Sequence, residues 1–321
     1  MIVDLPNTTT AKISKALVSL REEGGAVALG RVLTLVIACT LGREEEAIEA
    51  ANDASREHPM RVIVLSTASI DGVIDESVDP RVDAEIRVGG DAGASEVIVL
   101  RAYGAASSDP ESLVTGLLLP DAPVVAWWPA DAPSVPAASP LGRIAYRRIT
   151  DASAQPDPQA ALHQLMNSYR PGDTDFAWTR LTLWRAQLAA VLDQPPYEPI
   201  TAIQVSGAAD SPSTTLLAAW LQLALPVPVD YELTHGPAAN GIHGVHLTRA
   251  SGVISLVREV PGVATLSQPS QPTHDVTLNR RSLRDCLSDE LRRLDPDELY
   301  GEVITRGLPQ LDNAIAEQAG A

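Results

Sequence analysis

Residues 170–185, RPGDTDFAWTRLTLWR, contain a D-x-D triplet made by Asp173 and Asp175. Two carboxylates at this spacing can hold a divalent metal beside a nucleotide-sugar phosphate. A catalytic triplet of this kind would end a buried strand, whereas this one follows a Pro-Gly turn and enters an apolar run with helical spacing. Aspartates at the start of a helix cap its free N–H groups and complement its dipole. We therefore predict that Asp173 or Thr174 caps a helix whose first turn contains Asp175.

The predicted helix after the triplet carries two tryptophans with different surroundings. Trp184 falls on the apolar seam and is predicted to be core, whereas Trp178 shares another face with Arg185, seven residues later. Tryptophan and arginine are enriched at protein interfaces. The same pair can equally be a buried structural contact, so both interpretations stay open.

A second pair, Trp127 and Trp128 in VVAWWP, alternates across a predicted strand. One indole is therefore predicted to be core, and the other to face the proline-rich loop 129–140 or a partner. The predicted partner-binding set consists of Trp127, Trp128, Trp178, Arg180 and Arg185.

A glycine-rich stretch, VGGDAGASE at 88–96, is the nearest candidate for a phosphate-binding loop. A dinucleotide fingerprint needs glycines that open a helix after a strand, but ASEVIVL continues here as a strand. The pattern therefore favours a tight turn. Gly89, Gly90 and Gly93 remain a possible anion nest. The arginines that could assist such a site are Arg143, Arg147 and Arg148.

Other patterns that could carry chemistry are weak. The sequence has no G-x-x-x-x-G-K-[ST], G-x-S-x-G or H-E-x-x-H motif. His243 and His246 lie in an alternating stretch that sends them to opposite faces of a strand, so no metal site is predicted. Cys39 lies in a predicted buried strand, and Cys286 is predicted to pack inertly on a helix. No catalytic residue is predicted, and the chain is expected not to be an enzyme.

Glu290 is unusual because it falls near the middle of the apolar stripe of its helix. A buried carboxylate needs a partner. The nearest candidate partners are Arg280, Arg281 and Arg284, so we predict an internal pair between Glu290 and one of these arginines.

The elements that must position these residues predict an α/β protein with two parts. Residues 1–150 alternate helices with near-continuous apolar strands such as RVLTLVIACT, which is typical of a mostly parallel or mixed sheet with crossover helices. Residues 151–321 predict an α+β domain, with helices at about 157–168 and 174–192, an antiparallel meander of short strands and two closing helices. Asp295, followed by Pro296, is predicted to cap the last of these helices. The predicted domains are therefore an N-terminal α/β domain, 1–150, and a C-terminal α+β domain, 151–321.

The charge and composition of the chain exclude some classes of binding partner. The 321-residue chain has a net charge of −17, so its surface repels nucleic-acid backbones and anionic membranes. No apolar run reaches the roughly 18 residues that a membrane span needs. The N-terminal MIVDLPNTTT lacks a signal-type pattern, and the two cysteines lie far apart. A cytoplasmic protein is expected.

Several long strings in the same order resemble the glucose-6-phosphate dehydrogenase assembly protein family, OpcA. They are SREHPMRVIVL, VDAEIRVGGDAGASEVIVL, PDAPVVAWWP, RRITDA, PGDTDFAWTRLTLWR and RRSLRDCLSDELRRLDPD. The resemblance runs from DLPNTTT to LDPD and is weaker over 205–275.

The resemblance implies a non-catalytic cytosolic protein that binds glucose-6-phosphate dehydrogenase. Such a protein would act as an allosteric activator, promoting the active oligomer and supporting the oxidative pentose phosphate pathway. NADP and glucose 6-phosphate would belong to the partner enzyme, and this chain would hold no cofactor. Some relatives respond to redox state through cysteines, which the placement of Cys39 and Cys286 does not favour here. The alternative function is a phosphosugar-binding enzyme or sensor that uses the Gly89–Gly93 turn.

Overall fold

The structure, a computed structural model, describes residues 1–24, 31–68, 74, 77–89, 96–236 and 241–320. The chain forms two compact units. The first consists of Met1–Ala154, Gly172–Thr174 and Ser282–Pro296, and the second of Gln155–Pro171, Asp175–Arg281 and Asp297–Ala321. Residues 282–296, which the sequence pattern assigns to the C-terminal domain, therefore cluster with the first unit. The domain boundary near residue 150 stays a prediction.

In the described residues of the first part of the chain there are seven strands and four α-helices. In chain order they are β1 (Ile2–Leu5), α1 (Thr10–Gly24), β2 (Leu33–Thr40), α2 (Glu45–Ala54), β3 (Met60–Thr67), β4 (Arg81–Arg87), β5 (Glu96–Tyr103), α3 (Pro110–Thr115), β6 (Val124–Trp127), α4 (Pro140–Ile144) and β7 (Arg147–Thr150).

The remaining elements follow in the same way. They are α5 (Pro158–Ser168), β8 (Asp173–Asp175), α6 (Phe176–Thr179), α7 (Thr182–Leu192), β9 (Ala202–Ala208), α8 (Pro212–Ala224), β10 (Val229–Thr234), β11 (Ile242–Arg249), β12 (Gly252–Val260), β13 (Gly262–Ser267), β14 (His274–Leu278), α9 (Leu283–Arg292), α10 (Glu298–Glu302) and α11 (Leu308–Gly320).

The first sheet has the order β1-β4-β5-β3-β2-β6-β7-β8. Strands β5, β3, β2, β6 and β7 are parallel to one another. At one side of the sheet, β4 pairs antiparallel with β5, and β1 pairs antiparallel with β4. Both faces of the central strands are covered, which is why β2 and β3 are almost continuously apolar. The chain adds β3 and β5 on one side of β2 and later adds β6 and β7 on the other. The β2–β6 junction is therefore the topological switch point, where open α/β sheets place ligands.

The second sheet belongs to the second unit and has the order β10-β9-β11-β12-β13-β14. Strands β9 and β10 are parallel and are joined by the buried helix α8, while β11 to β14 form an antiparallel meander. The predicted fold class, an α/β sheet with crossover helices plus an α+β part with a meander and terminal helices, is confirmed.

Two local predictions are wrong. The predicted single helix over 174–192 is instead the short strand β8 followed by α6 and α7. The last helical region begins at Glu298 and is capped by Asp297, not by Asp295. Within the described residues, no helix is long and apolar enough to cross a membrane.

Candidate functional site

The D-x-D triplet divides its two aspartates between different partners. Asp175 caps α6, because its carboxylate accepts the N–H of Ala177 at 2.8 Å. Asp173 lies in β8 and accepts a hydrogen bond from Nε of Arg148. The triplet therefore caps a helix, as predicted, but the capping residue is Asp175 and not Asp173 or Thr174. In the part of the chain that the structure describes, no group of three or more potential metal ligands is present.

Trp178 lies at the centre of a polar–aromatic cluster. Its side chain is 1% exposed, and the guanidinium carbon of Arg185 lies 3.7 Å from the centroid of its ring. The indole Nε1–H donates to Oδ2 of Asp297 at 2.8 Å, and the Tyr300 ring lies 5.8 Å away between centroids. A cation over an aromatic face contributes about 0.5–2 kcal/mol, depending on its desolvation. Trp178 is therefore buried beneath Arg185, which is itself partly exposed.

Asp297 joins this cluster to the helix that follows it. Its Oδ1 accepts the N–H of Tyr300 at 2.9 Å and so caps α10, while its other oxygen holds Trp178. A Cβ at Gly301 would come within 2.5 Å of the Tyr169 hydroxyl, so only glycine allows this approach. The sequence signal for Asp297 was the D-E-L-Y start of a helix, which the neighbouring Asp295-Pro296 obscured.

Further arginines surround α6 and α7. The Arg180 guanidinium lies 5.9 Å from the Phe176 ring centroid, and that of Arg258 lies 5.8 Å from Trp184. Arg281 donates to the carbonyl of Thr179 at 3.2 Å and to the Thr182 hydroxyl at 3.1 Å. We call Arg180, Arg185, Arg258 and Arg281 the α7 arginines. They concentrate positive charge on one region of a chain with a net charge of −17.

Trp127 and Trp128 are both buried, with exposed fractions of 0% and 2%. Trp128 lines a small cleft of about 50 Å³ that lies at the carboxyl ends of β2 and β3, and Pro133 and Pro140 from the proline-rich loop line it too. The described lining carries no charged side chain. A partner-binding role stays a prediction for the whole set, Trp127, Trp128, Trp178, Arg180 and Arg185. Because the three indoles are buried, they could contribute to binding only by supporting the surface above them.

The turn between β2 and α2 occupies the position where dinucleotide-binding sheets carry their glycine fingerprint. Here the turn has a single glycine, Gly42, with φ of 83°. Three glutamates, Glu44, Glu45 and Glu46, stand at the start of α2. Carboxylates at a helix N-terminus compete with a phosphate for the same positive potential. This edge of the sheet is therefore unfavourable for an incoming phosphate.

The glycine-rich stretch is described only in part. Gly89 is exposed and has φ of 72°, as expected for a tight turn. Gly90 and Gly93 lie outside the described residues, so the anion nest stays a prediction.

Each arginine that could assist the anion nest forms a salt bridge with a carboxylate. Arg143 binds Glu111 at 3.1 Å. Arg148 binds Asp173, and Arg147 binds Glu290.

The partner of Glu290 differs from the prediction. Its carboxylate accepts Nε of Arg147 at 3.0 Å, and Arg147 also donates to the backbone carbonyl of Asp295 at 2.7 Å. The candidates Arg280, Arg281 and Arg284 lie on α9 or just before it, whereas Arg147 lies on the distant strand β7. Both side chains of the pair are almost fully buried, with exposed fractions of 4% and 7%.

Cys39 is expected to be unreactive in the folded chain. Burial, with a further contribution from the Glu44 charge, raises the pKa of Cys39 to about 12, and Ser66 and Arg101 offset this only in part. Because the thiolate is the nucleophile, at pH 8 its alkylation should be about a thousandfold slower than that of an ordinary cysteine of pKa near 8.5. Iodoacetamide labelling of the Cys286→Ser variant, folded and in guanidinium, measures this ratio. Equal rates in the two conditions would contradict the buried placement.

Comparison with known proteins identifies relatives in sequence. Residues 51–167 match the family model described as the glucose-6-phosphate dehydrogenase subunit N-terminal domain, and residues 171–304 match the corresponding C-terminal domain, both of the OpcA type. No curated protein matches the chain significantly.

Solved structures resemble the chain only distantly. KijD10, a 3-ketoreductase from Actinomadura kijaniata, is 11% identical with a TM-score of 0.48, covering 87% of this chain and 96% of its own. Glucose-6-phosphate 1-dehydrogenase from Mycobacterium avium is 11% identical with a TM-score of 0.41, covering 88% and 92%. Likeness at this level says nothing about activity.

Proposed function

The chain belongs to the OpcA family of glucose-6-phosphate dehydrogenase assembly proteins, and from this premise we propose that it binds glucose-6-phosphate dehydrogenase and promotes the enzyme's active oligomeric state. The observation that carries the proposal is the pair of family matches, which follow one another along most of the chain. In this role the protein supports the oxidative pentose phosphate pathway from the cytoplasm without turning over substrate itself.

The turn after β2 supports a non-catalytic role. A dehydrogenase of this topology would bind its nicotinamide cofactor at the switch point, with the pyrophosphate on the first helix N-terminus. Here that N-terminus carries Glu44, Glu45 and Glu46. NADP and glucose 6-phosphate therefore belong, in this proposal, to the partner enzyme.

Activation requires that the chain binds one state of the enzyme more tightly than another, because equal affinity for both states shifts nothing. The α7 arginines offer a positively charged surface for this purpose. Three of the four guanidinium groups, those of Arg180, Arg185 and Arg258, are held against aromatic rings, which lowers the entropy lost on binding a partner's carboxylates. Trp178 would act by holding Arg185 in place.

The alternative of a phosphosugar-binding enzyme or sensor has less support. It needs free cationic groups near the Gly89–Gly93 turn, whereas Arg147 and Arg148 are engaged by buried carboxylates. An acidic chain also repels sugar phosphates over long range.

An activity titration tests the proposal. Increasing amounts of the chain, added to the dehydrogenase of the same organism, should raise NADPH formation to a plateau, while the chain alone should form none. Arg180→Ala should shift the titration to higher concentration. Arg43→Ala, which removes an exposed arginine at the turn after β2, is the matched control and should leave it unchanged. Turnover by the chain alone, or a flat titration, would refute the proposal.

A further inference from the structure

The two sides of the second sheet differ in burial. Helix α8 lies on one side, where its Thr215 hydroxyl is hydrogen-bonded to the Tyr231 hydroxyl of β10. The residues in register with Tyr231 across the sheet are apolar and buried, namely Val205, Val245, Leu256 and Leu266. Because successive side chains of a strand point to opposite faces, the residues next to these in each strand lie on the other side of the sheet.

Two rows of register partners cross this other side, which we call the open face. The first row is formed by Asp230, Gln204, His246, Ser255 and Ser267, and the second by Glu232, Ser206, Gly244, Val257, Thr265 and Asp275. Every side chain in these rows is half-buried or exposed. Two valines on the same side, Val253 and Val260, are 46% and 55% exposed. The open face is therefore a sheet surface in contact with solvent.

The edges of the open face are charged and its centre is not. The outer strands β10 and β14 contribute three carboxylates, those of Asp230, Glu232 and Asp275. On the four inner strands, the two rows carry no carboxylate, ammonium or guanidinium group. Protein interfaces have this layout, with a centre depleted of charge and a polar rim. The solvated side of an antiparallel sheet is normally polar, so the exposed valines of β12 also favour a face that a partner covers.

The charges decide between a second copy of the chain and a different protein. Two copies packed face to face about a two-fold axis place each outer strand opposite an outer strand of the other copy. Because both outer strands are acidic, every such packing brings carboxylates together and is repulsive. A cationic partner fits instead. Glu232 and Asp275 lie in one row with five strand spacings between them, so the matching cations would lie about 24 Å apart.

We propose that the open face docks a flat protein surface that carries lysine or arginine side chains on both sides of an uncharged centre. In the proposed function this surface belongs to the dehydrogenase, so the inference rests on that function and adds a second contact to that of the α7 arginines. The uncharged centre packs against the partner, and the carboxylates of β10 and β14 fix the partner's orientation.

Charge reversal at one edge tests the proposal. Asp230→Lys combined with Glu232→Lys reverses both carboxylates of β10, an edge strand, where lysine is well tolerated. The control, Glu49→Lys combined with Asp131→Lys, makes the same change in net charge at two exposed acids of the first unit. Interferometry on the immobilised dehydrogenase measures the dissociation constant at low and at high salt. The β10 variant should bind about tenfold more weakly than the wild type at low salt, with a smaller difference at high salt, whereas the control should bind no more weakly than the wild type.

A second variant, Asp275→Lys, repeats the test at the opposite edge and covers the case in which the β10 variant does not fold. It should weaken binding about threefold or more at low salt. Circular dichroism establishes which variants fold. Unchanged affinity in either folded edge variant, or an equal loss in the control, would overturn the inference and leave the proposed function intact. A wild-type chain that neither binds nor activates the dehydrogenase would refute the proposed function, and the inference with it.

Discussion

Trp178→Ala is expected to lower the free energy of unfolding by about 3–5 kcal/mol. The substitution removes a large buried ring, takes the aromatic face from beneath Arg185 and leaves the Asp297 carboxylate without the indole donor. Urea unfolding followed by circular dichroism measures the change, since fluorescence would report the deleted chromophore. A loss below about 1 kcal/mol would contradict the burial of Trp178.

The matched control is Trp178→Phe. It keeps an aromatic face for Arg185 and most of the buried volume, but removes the Nε1–H that binds Asp297. The expected loss is about 1–3 kcal/mol, which corresponds to a buried acceptor deprived of its donor. If the phenylalanine variant were as unstable as the alanine variant, the hydrogen bond and not the ring would dominate the cluster.

The second large effect concerns the buried pair of Arg147 and Glu290. Glu290→Ala leaves a guanidinium group uncompensated inside the protein, which typically costs about 3–5 kcal/mol. The remaining hydrogen bond of Arg147 to the Asp295 carbonyl satisfies only one of its nitrogens. The same urea titration measures this loss.

Replacing both residues of the pair distinguishes the contribution of the ion pair from the cost of leaving one buried charge unpaired. Arg147→Met combined with Glu290→Leu removes both charges and fills the space with apolar atoms, so its loss should be much smaller than that of Glu290→Ala. A double variant as unstable as the single one would show that the pair itself, and not the orphaned charge, governs stability. Arg284→Met serves as a further control, because it removes an arginine that the sequence suggested as the partner.

The sequence predicted those features that depend on local pattern. The buried strands β2 and β3 were readable because both faces are covered, which demands continuous apolar residues. The start of α3 has a local pattern of the same kind, because Asp109 precedes Pro110 and its carboxylate accepts the Ser112 N–H at 3.1 Å. Fold class followed from these elements in order.

Features that depend on contacts between distant residues could not be predicted from the sequence. Strand β7 begins with two adjacent arginines, a pattern typical of an exposed segment, yet both are buried against Glu290 and Asp173. The carboxylate that neutralises Arg147 lies 143 residues away, so no local rule could supply it. Strand β8 is three residues long and polar, and its partner strand alone identifies it as a strand.

The same difference between local patterns and contacts of distant residues applies to the candidate site. Seven-residue spacing predicted Trp178 and Arg185 on one face of a single helix. The two residues are in contact, but Trp178 lies on α6 and Arg185 on α7. The burial of Trp178 depends on Tyr300 and Asp297, which follow more than a hundred residues later. The hydrogen bond from Ser66 to the buried Glu44 carboxylate was likewise hidden, because Ser66 lies 22 residues later on another strand.

The central claim, that the chain binds glucose-6-phosphate dehydrogenase and alters its assembly, is tested most directly by size-exclusion chromatography with light scattering. The chain and the dehydrogenase of the same organism are run separately and mixed, with and without glucose 6-phosphate. The account predicts that mixing moves the dehydrogenase to a species of larger mass that contains both proteins. Elution of the two proteins at their separate masses under both conditions would contradict it.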